Sequence, residues 1–304
     1  MSSASSTGPV PKPAPAPGPK PSAERPTPSP SPAPKPKAEA PRPRSGPKPK
    51  AEAPKPSLGA ITFDYWDTLY HGHVLPERVR YRQEALHGML ASLGRELEWP
   101  EFEALYIESG REAARWWREE ARGYHTRDRI RWILERLEID HQPDDSEHMA
   151  AAVTAVDEAL LRWPAPLITG VSDLLRHLAG RTRLGIVSDT GFASGTAQNT
   201  LLERDGLLEH FAVTTYSMDL GHAKPRREPF VHALDGLGIA PERALHVGDN
   251  EFTDVRGALD AGMRAVRVDI VRPGPRETAA EFVARTVAEL GEYLMEAIGA
   301  IGDG

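Results

Sequence analysis

Apolar positions along the chain recur with two different spacings. Short apolar runs predict five β-strands, at residues 60–63, 184–187, 211–215, 244–247 and 265–268. Between the later runs, helical spacing predicts helices near residues 170–180, 192–204, 227–237, 252–261 and 278–297. Strands that alternate with helices in this way are typical of a parallel sheet with helices on both faces. The pattern therefore predicts an α/β fold.

A purely helical stretch separates the first strand from the others. Its apolar spacing predicts helices near residues 76–93, 100–122, 126–138 and 146–162. We expect an α/β core at residues 58–71 and 167–298, interrupted by an inserted helical block at residues 72–166. Such an insertion would lie over the edge of the sheet at which the first strand ends.

Residues 1–57 show neither spacing and consist mostly of Pro, Ala, Lys and Ser. The sequence PKPKAEAP occurs at residues 34–41 and again at residues 47–54. Such a segment cannot bury enough apolar surface to offset the entropy lost on ordering, so we expect a disordered, extended tail. It would act as a spacer or, alternatively, would bind a proline-recognising or acidic protein partner.

Charge and composition exclude several classes of protein. The net charge is −7 and residues 1–57 carry +7, so the remainder carries −14, which argues against nucleic acid as a substrate. Cysteine is absent, which excludes disulfides and thiolate chemistry. No apolar run reaches the roughly 20 residues of a membrane span. We therefore expect a cytoplasmic protein that does not associate with membranes.

Polar residues follow the predicted strands at the points where the strands end. They are Asp64 after the first run, Ser188 and Asp189 after the second, Lys224 after the third, and Asp249 and Asp254 after the fourth. The carboxyl ends of parallel strands meet at one edge of a sheet, where ligands bind. Singly, each of these residues is more typical of a helix cap or a turn. Together, they predict one site.

The chemistry of these residues points to a phosphorylated ligand and a cation. Asp64, Asp249 and Asp254 would repel one another unless positive charge lies between them. A Mg²⁺ ion together with Lys224 would balance the three aspartates, and oxygen atoms are the ligands that Mg²⁺ prefers. The Ser188 hydroxyl and the Asp189 amide can donate hydrogen bonds to a phosphoryl oxygen. We expect a Mg²⁺-dependent site for a small phosphorylated substrate.

The four signals, in this order, resemble the motifs of the haloacid dehalogenase-like (HAD) superfamily. The stretch from Asp64 to Leu69 matches, with differences, the first motif of that family, a strand followed by Asp-x-Asp-Gly-Thr-Leu. The other three motifs are matched by Ser188, by Lys224-Pro225, and by Gly248-Asp249 with Asp254. The resemblance covers residues 58–296. It implies a Rossmann-like core, an inserted helical cap, and a phosphatase that forms an aspartyl-phosphate intermediate.

The resemblance also implies a role for each residue. The protein ligands of Mg²⁺ would be Asp64, the backbone carbonyl of Trp66, Asp249 and, in a supporting position, Asp254. Asp64 would also be the nucleophile. Ser188 and Asp189 would hold the phosphoryl group, and Lys224 would steady Asp64 and the charge that develops on the substrate.

One position departs from the phosphatases of the family. They usually have Asp two residues after the nucleophile, where it protonates the leaving oxygen and activates water, and this chain has Trp66. General acid–base catalysis contributes about 10²–10⁴-fold. Asp67 could substitute for the missing acid, or His71 or His125 could supply the proton. Alternatively, the substrate has a good leaving group, as an acyl phosphate does.

Two other functions stay open. Dehalogenases of the same superfamily also lack this Asp, so a metal-independent carbon–halogen hydrolase is one alternative, although they lack the Gly-Asp-x-x-x-x-Asp motif. A catalytically weakened domain with a binding role is the other. The arginines and tryptophans of the cap could serve an anionic substrate, but the arginines alternate with Glu and Asp, as on a solvated helix face. Trp116 and Trp117 are adjacent on a helix, so at least one of them should pack in the interior.

Overall fold

The computed structural model describes residues 58–140 and 146–299. The predicted tail at residues 1–57, and with it the expected protein partner of that tail, lies outside the described residues. None of the helices within the described ranges has the length and apolar character that crossing a bilayer requires.

A single parallel sheet organises the described part of the chain. Its strands are β1 (Ala60–Phe63), β2 (Arg183–Ser188), β3 (Phe211–Tyr216), β4 (Ala244–Gly248), β5 (Arg264–Val268) and β6 (Phe282–Ala284). Their order across the sheet is β3-β2-β1-β4-β5-β6, and every adjacent pair is parallel. The predicted α/β fold, with its Rossmann-like parallel sheet, is confirmed.

Helices cover both faces of this sheet. They are α5 (Val171–Ala179), α6 (Gly195–Arg204), α7 (Ser217–Leu220), α8 (Arg227–Leu237), α9 (Gly257–Asp260) and α10 (Val287–Gly299). Alternate residues of β4 point to opposite faces, as the pleat of a strand requires. Leu245 therefore packs in one hydrophobic cluster with α5, α6 and α10, and Ala244 packs in a second cluster with α8 and α9.

The inserted segment at residues 72–166, which we call the cap segment, is helical as predicted. Its helices are α1 (Pro76–Ser92), α2 (Trp99–Glu120), α3 (Thr126–Arg136) and α4 (Glu147–Arg162). They enclose a hydrophobic cluster of their own, and Phe192 from the core packs against it. The Thr126 hydroxyl also donates to the backbone oxygen of Phe192 at 2.8 Å. The loop after β2 therefore ties the cap segment to the sheet.

The prediction of one long helix at residues 278–297 is wrong. Residues 282–284 form β6, which pairs with β5, and the helix begins only at Val287. The amide of Glu289 donates to the Thr286 hydroxyl at 3.1 Å, and the Glu289 carboxylate accepts from the Arg285 amide. Thr and Glu three residues apart are a known start signal for a helix. The apolar spacing did not reveal where this helix begins, because Phe282 and Val283 also fit the spacing of a helix.

Candidate active site

A cavity of about 370 Å³ lies at the carboxyl edge of the sheet, beneath the cap segment. Core residues on its wall include Asp64, Trp66, Asp189, Lys224, Asp249 and Asp254. From the cap segment come Val74, Arg78, Arg82, Trp117 and Leu160. Residues of the cap segment and residues at the carboxyl edge of the sheet thus line one cavity.

The order of the strands explains why the site forms at this point. Strand β1 pairs with β2 on one side and with β4 on the other. The chain therefore builds the sheet first in one direction from β1 and then in the other, which leaves a crevice beyond the ends of β1 and β4. Phe63 lies level with Val247, so the residues that follow them, Asp64 and Gly248, enter the crevice side by side.

Lys224 lies at the centre of the site. Its ammonium group donates to Asp64 Oδ1 and to Asp254 Oδ1, both at 2.6 Å, and its side chain is 2% exposed. A charge in so dry a position needs partners, and these two carboxylates provide them. Burial opposes the ammonium form, but the nearby carboxylates outweigh it and raise the pKa of Lys224 above its usual range. Lys224 is also the only lysine after residue 55, in a body that otherwise uses arginine.

The aspartates carry more negative charge than Lys224 neutralises. Burial, together with Asp254 and Asp67, raises the pKa of Asp249 to about 6. Burial also raises the pKa of Asp64, against the effect of Lys224. Asp254 differs because Lys224 and the His246 ring outweigh its burial and hold its pKa low. A second positive charge would therefore stabilise the ionised forms of Asp64 and Asp249.

A buried hydrogen-bonded chain supports Asp254 from below. His246 lies level with Thr62 in the neighbouring strand, and its Nδ1 is 2.8 Å from the Thr62 hydroxyl. Its Nε2 lies 3.4 Å from Asp254 Oδ1. Burial lowers the pKa of His246, which favours the neutral ring. Since a carboxylate only accepts, Nε2 donates to Asp254 and Nδ1 accepts from Thr62.

Gly248 is required by the packing of Asp254. A Cβ atom at position 248 would lie 2.3 Å from Asp254 Cγ, closer than any real contact. The other oxygen of Asp254 accepts from the amide of Asn250 at 2.9 Å. The Gly-Asp-x-x-x-x-Asp motif therefore folds back on itself, and its second aspartate lies directly over its glycine.

The predicted metal ligands come together. Carboxylate oxygens of Asp64, Asp249 and Asp254 all lie within 4.8 Å of one another. An all-oxygen set with excess negative charge suits Mg²⁺, which is bound by carboxylates and retains several waters. The residues present therefore fit the ion that the sequence predicts. Trp66 lies on the cavity wall beside them, and the role of its carbonyl stays a prediction.

The two predicted phosphate-binding residues occupy different positions. Ser188 ends β2, is buried, and donates to the side-chain oxygen of Gln198 at 3.3 Å. Asp189 reaches the cavity, and its carboxylate accepts from the Trp117 indole at 2.9 Å and from the Lys224 amide at 3.1 Å. Asp189 thus joins the core to the cap segment through its side chain, a role that the sequence did not indicate.

Asp67 lies on the cavity wall with both carboxylate oxygens engaged. Oδ1 accepts from the Gly72 amide at 2.7 Å, and Oδ2 forms an ion pair with Arg272. Arg272 also lies 3.6 Å from Asp249. Arg272 follows β5 at the same edge of the sheet, so the search for polar residues after each predicted strand could have identified it. Neither His71 nor His125 lines the cavity.

The cap segment contributes side chains that sequence reasoning missed. Trp116 is buried in the interior, as the adjacency of the two tryptophans predicted for at least one of them, and Trp117 lines the cavity. Arg78 and Arg82 from α1 also line the cavity and are buried. The sequence offered one weak signal for them, since α1 places these arginines four residues apart on the face that it buries.

Comparisons with known proteins agree with this geometry. Residues 58–262 match the family model described as haloacid dehalogenase-like hydrolase. The glyceraldehyde 3-phosphate phosphatase of Methanopyrus kandleri is 31% identical over 209 residues, which cover 69% of this chain and 83% of that protein. The 5-amino-6-(5-phospho-D-ribitylamino)uracil phosphatase YigB of Escherichia coli is 31% identical over 218 residues, covering 68% and 82%. A solved 2-haloacid dehalogenase from Pseudomonas syringae pv. Tomato DC3000 shares the fold, with a TM-score of 0.57 and 24% identity over 79% of this chain and 99% of that one. The chain belongs to the haloacid dehalogenase-like hydrolase family.

Proposed function

We propose that this protein is a Mg²⁺-dependent phosphatase that acts on a small phosphorylated metabolite, with Asp64 as the nucleophile. The observation that carries the proposal is the cluster of Asp64, Asp249 and Asp254, in which Asp64 and Asp254 contact the buried Lys224. The named phosphatase activities of the relatives support the same reaction class. The division into a core and a cap at residues 72–166, and the cytoplasmic location, are part of this proposal.

The reaction would proceed in two displacements on phosphorus. An oxygen of Asp64 forms a bond to phosphorus while the bond to the leaving oxygen breaks, and that oxygen keeps the electron pair and takes a proton from solvent. Water then attacks the aspartyl phosphate, loses a proton to solvent, and releases inorganic phosphate with Asp64 restored. Each step is a balanced substitution that needs no oxidant or reductant.

Each neighbouring group supports these displacements. Lys224 holds Asp64 by its 2.6 Å hydrogen bond and faces the charge that develops on the phosphoryl oxygens. Asp64, Asp249 and the Trp66 carbonyl would hold Mg²⁺, with Asp254 behind them. When bound, the ion screens the anionic nucleophile from the anionic substrate. The Ser188 hydroxyl would turn from Gln198 to a phosphoryl oxygen.

Trp66 determines which substrates react well. Its indole cannot protonate a leaving oxygen, and Arg272 and Gly72 occupy the carboxylate of Asp67. The leaving group must therefore depart with little assistance. We expect acyl and aryl phosphates to react faster than alkyl phosphates, by up to about 10²–10⁴-fold.

A panel of phosphorylated metabolites tests the proposal. Phosphate release is measured with and without Mg²⁺, with Asp64→Asn as the blank, and the panel includes acyl, aryl and alkyl phosphates. Trp66→Asp should raise the rate for alkyl phosphates more than that for aryl phosphates. Absence of Mg²⁺-dependent phosphate release across the panel contradicts the proposal. Metal-independent halide release from 2-haloacids would instead support the dehalogenase alternative.

A further inference from the structure

Two arginines of the cap segment lie in the cavity without an acidic partner. Arg78 and Arg82 are 4% and 8% exposed, and both line the same cavity as Asp64 and Lys224. Among the described residues, neither guanidinium forms an ion pair, whereas Arg80 between them pairs with Glu84. Buried charges normally have partners, so two unpaired ones in a cavity call for an explanation.

Their hydrogen bonds leave capacity for a ligand. Arg78 Nε donates to the Trp163 backbone oxygen at 2.6 Å, but its buried Nη2 has no partner within the described residues. Arg82 Nε makes one long bond, 3.4 Å, to the Val156 backbone oxygen. A guanidinium offers five N–H donors, so most of those on this pair are free to bind an anion.

The electrostatic environment strengthens this requirement. Burial and the nearby guanidinium groups of Arg78 and Arg129 lower the pKa of Arg82 to about 10, so the group stays charged at neutral pH but at a cost. Asp157 acts in the opposite direction and raises the pKa of Arg82. Both of its carboxylate oxygens, however, already accept hydrogen bonds from Ser194, at 2.8 and 2.6 Å. An anion bound between the arginines would relieve both their repulsion and their desolvation.

From this arrangement we infer that Arg78 and Arg82 bind a second anionic group on the substrate, at the part of the cavity wall that the cap segment provides. The inference rests on the proposed function, because it takes the aspartate cluster as the place of the scissile phosphate. The substrate is then a small compound with a phosphate at one end and a carboxylate or a second phosphate at the other. Guanidinium groups bind both with paired hydrogen bonds. A cavity of about 370 Å³ has room for a compound of metabolite size.

Matched substrates test the inference. Glyceraldehyde 3-phosphate and 3-phosphoglycerate differ only in an aldehyde against a carboxylate, and fructose 6-phosphate and fructose 1,6-bisphosphate differ in a second phosphate. In at least one pair, the anionic member should have a kcat/KM about 10- to 100-fold higher, as expected for hydrogen bonds to a charged group. The pair that shows the preference identifies the anion. Equal kcat/KM values in both pairs overturn the inference.

Variants locate the preference. Arg82→Gln and Arg78→Gln should each reduce the ratio of kcat/KM within the preferred pair by about 10-fold or more. The matched control is Arg80→Gln on the same helix, where an exposed arginine is replaced, and the ratio should not change. Thermal melts establish that each variant is folded. A ratio that survives in both Arg78→Gln and Arg82→Gln, in folded protein, also overturns the inference.

Binding separates this inference from the proposed function. Calorimetric titration of Asp64→Asn, and of Asp64→Asn combined with Arg82→Gln, with the same compounds requires no turnover. If no compound releases phosphate but the anionic member binds more tightly through Arg82, the phosphatase proposal fails and the anion subsite stands. If phosphate is released but neither titration nor kcat/KM distinguishes the members of either pair, the subsite fails and the phosphatase proposal stands.

Discussion

The cavity has a core wall, formed at the edge of the sheet, and a cap wall, formed by the cap segment, and the charged groups of the two walls are paired differently. On the core wall, Lys224 contacts the carboxylates of Asp64 and Asp254, both at 2.6 Å. On the cap wall, Arg78 and Arg82 have no carboxylate partner within the described residues. The core wall thus has an excess of negative charge and the cap wall an excess of positive charge. The groups proposed for the reaction lie at the edge of the sheet, and the arginines proposed to bind the rest of the substrate lie on helix α1.

The strongest test of this contrast removes the central cation of the core. Lys224→Met removes the cation that contacts both Asp64 and Asp254 and leaves their buried charges uncompensated, which should cost about 3–5 kcal/mol of unfolding free energy. Urea unfolding without Mg²⁺ measures it. Arg176→Met, which breaks an exposed pair with Asp173, is the control and should change stability by less than about 0.5 kcal/mol. Equal stability of the Lys224 variant and the wild type would show that the core wall is not organised around this lysine.

A second test adds the missing positive charge. Mg²⁺ at 100 times its dissociation constant should stabilise the protein by about 2.7 kcal/mol, because the aspartate cluster exists only in the folded state. Chelation should reverse this gain and abolish phosphate release. Asp249→Ala should lose the gain, and Asp173→Ala, at an exposed position, should keep it. An unfolding curve that Mg²⁺ leaves unchanged would contradict the metal site.

A third test asks how rigid the core wall is. Gly248→Ala places a methyl group 2.3 Å from Asp254 Cγ and should cost about 1–3 kcal/mol in urea unfolding. Gly88→Ala in α1 is the matched control, because no atom lies within 4 Å of the added carbon. It should gain about 0.5–1 kcal/mol from the better helix propensity of alanine. If both substitutions behave alike, the turn before Asp249 tolerates more than its geometry indicates.

The smallest effect concerns the contact between the two walls. Trp117→Phe keeps most of the ring but removes the 2.9 Å hydrogen bond to Asp189, at a cost of about 1 kcal/mol. Trp132→Phe, in which Arg136 lies over the ring, is the control and should stay within about 0.5 kcal/mol. Urea unfolding and KM for the best substrate are measured together. Identical results for the two variants would mean that the indole bond does not couple the walls.

The sheet edge was predictable because few alternatives exist for parallel strands. Asp64 and Asp249 follow apolar runs, and the ends of neighbouring parallel strands must meet at one edge. The error at residues 278–297 has the opposite cause. Phe282 and Val283 fit the period of a helix, and only the pairing of β6 with β5 makes them a strand. A strand of three residues has too few positions for its alternation of side chains to be recognised within a longer stretch of helical spacing.

By itself, the sequence determined the parallel fold, the helical insertion, and the group formed by Asp64, Lys224, Asp249 and Asp254. Those residues follow strand ends, and strand ends have a fixed place in the fold. The positions of Arg78, Arg82, Trp117 and Arg272 were decided only by tertiary structure. The period of a helix shows which side is buried but not what that side faces, because the rotation and docking of a helix depend on contacts distant in sequence.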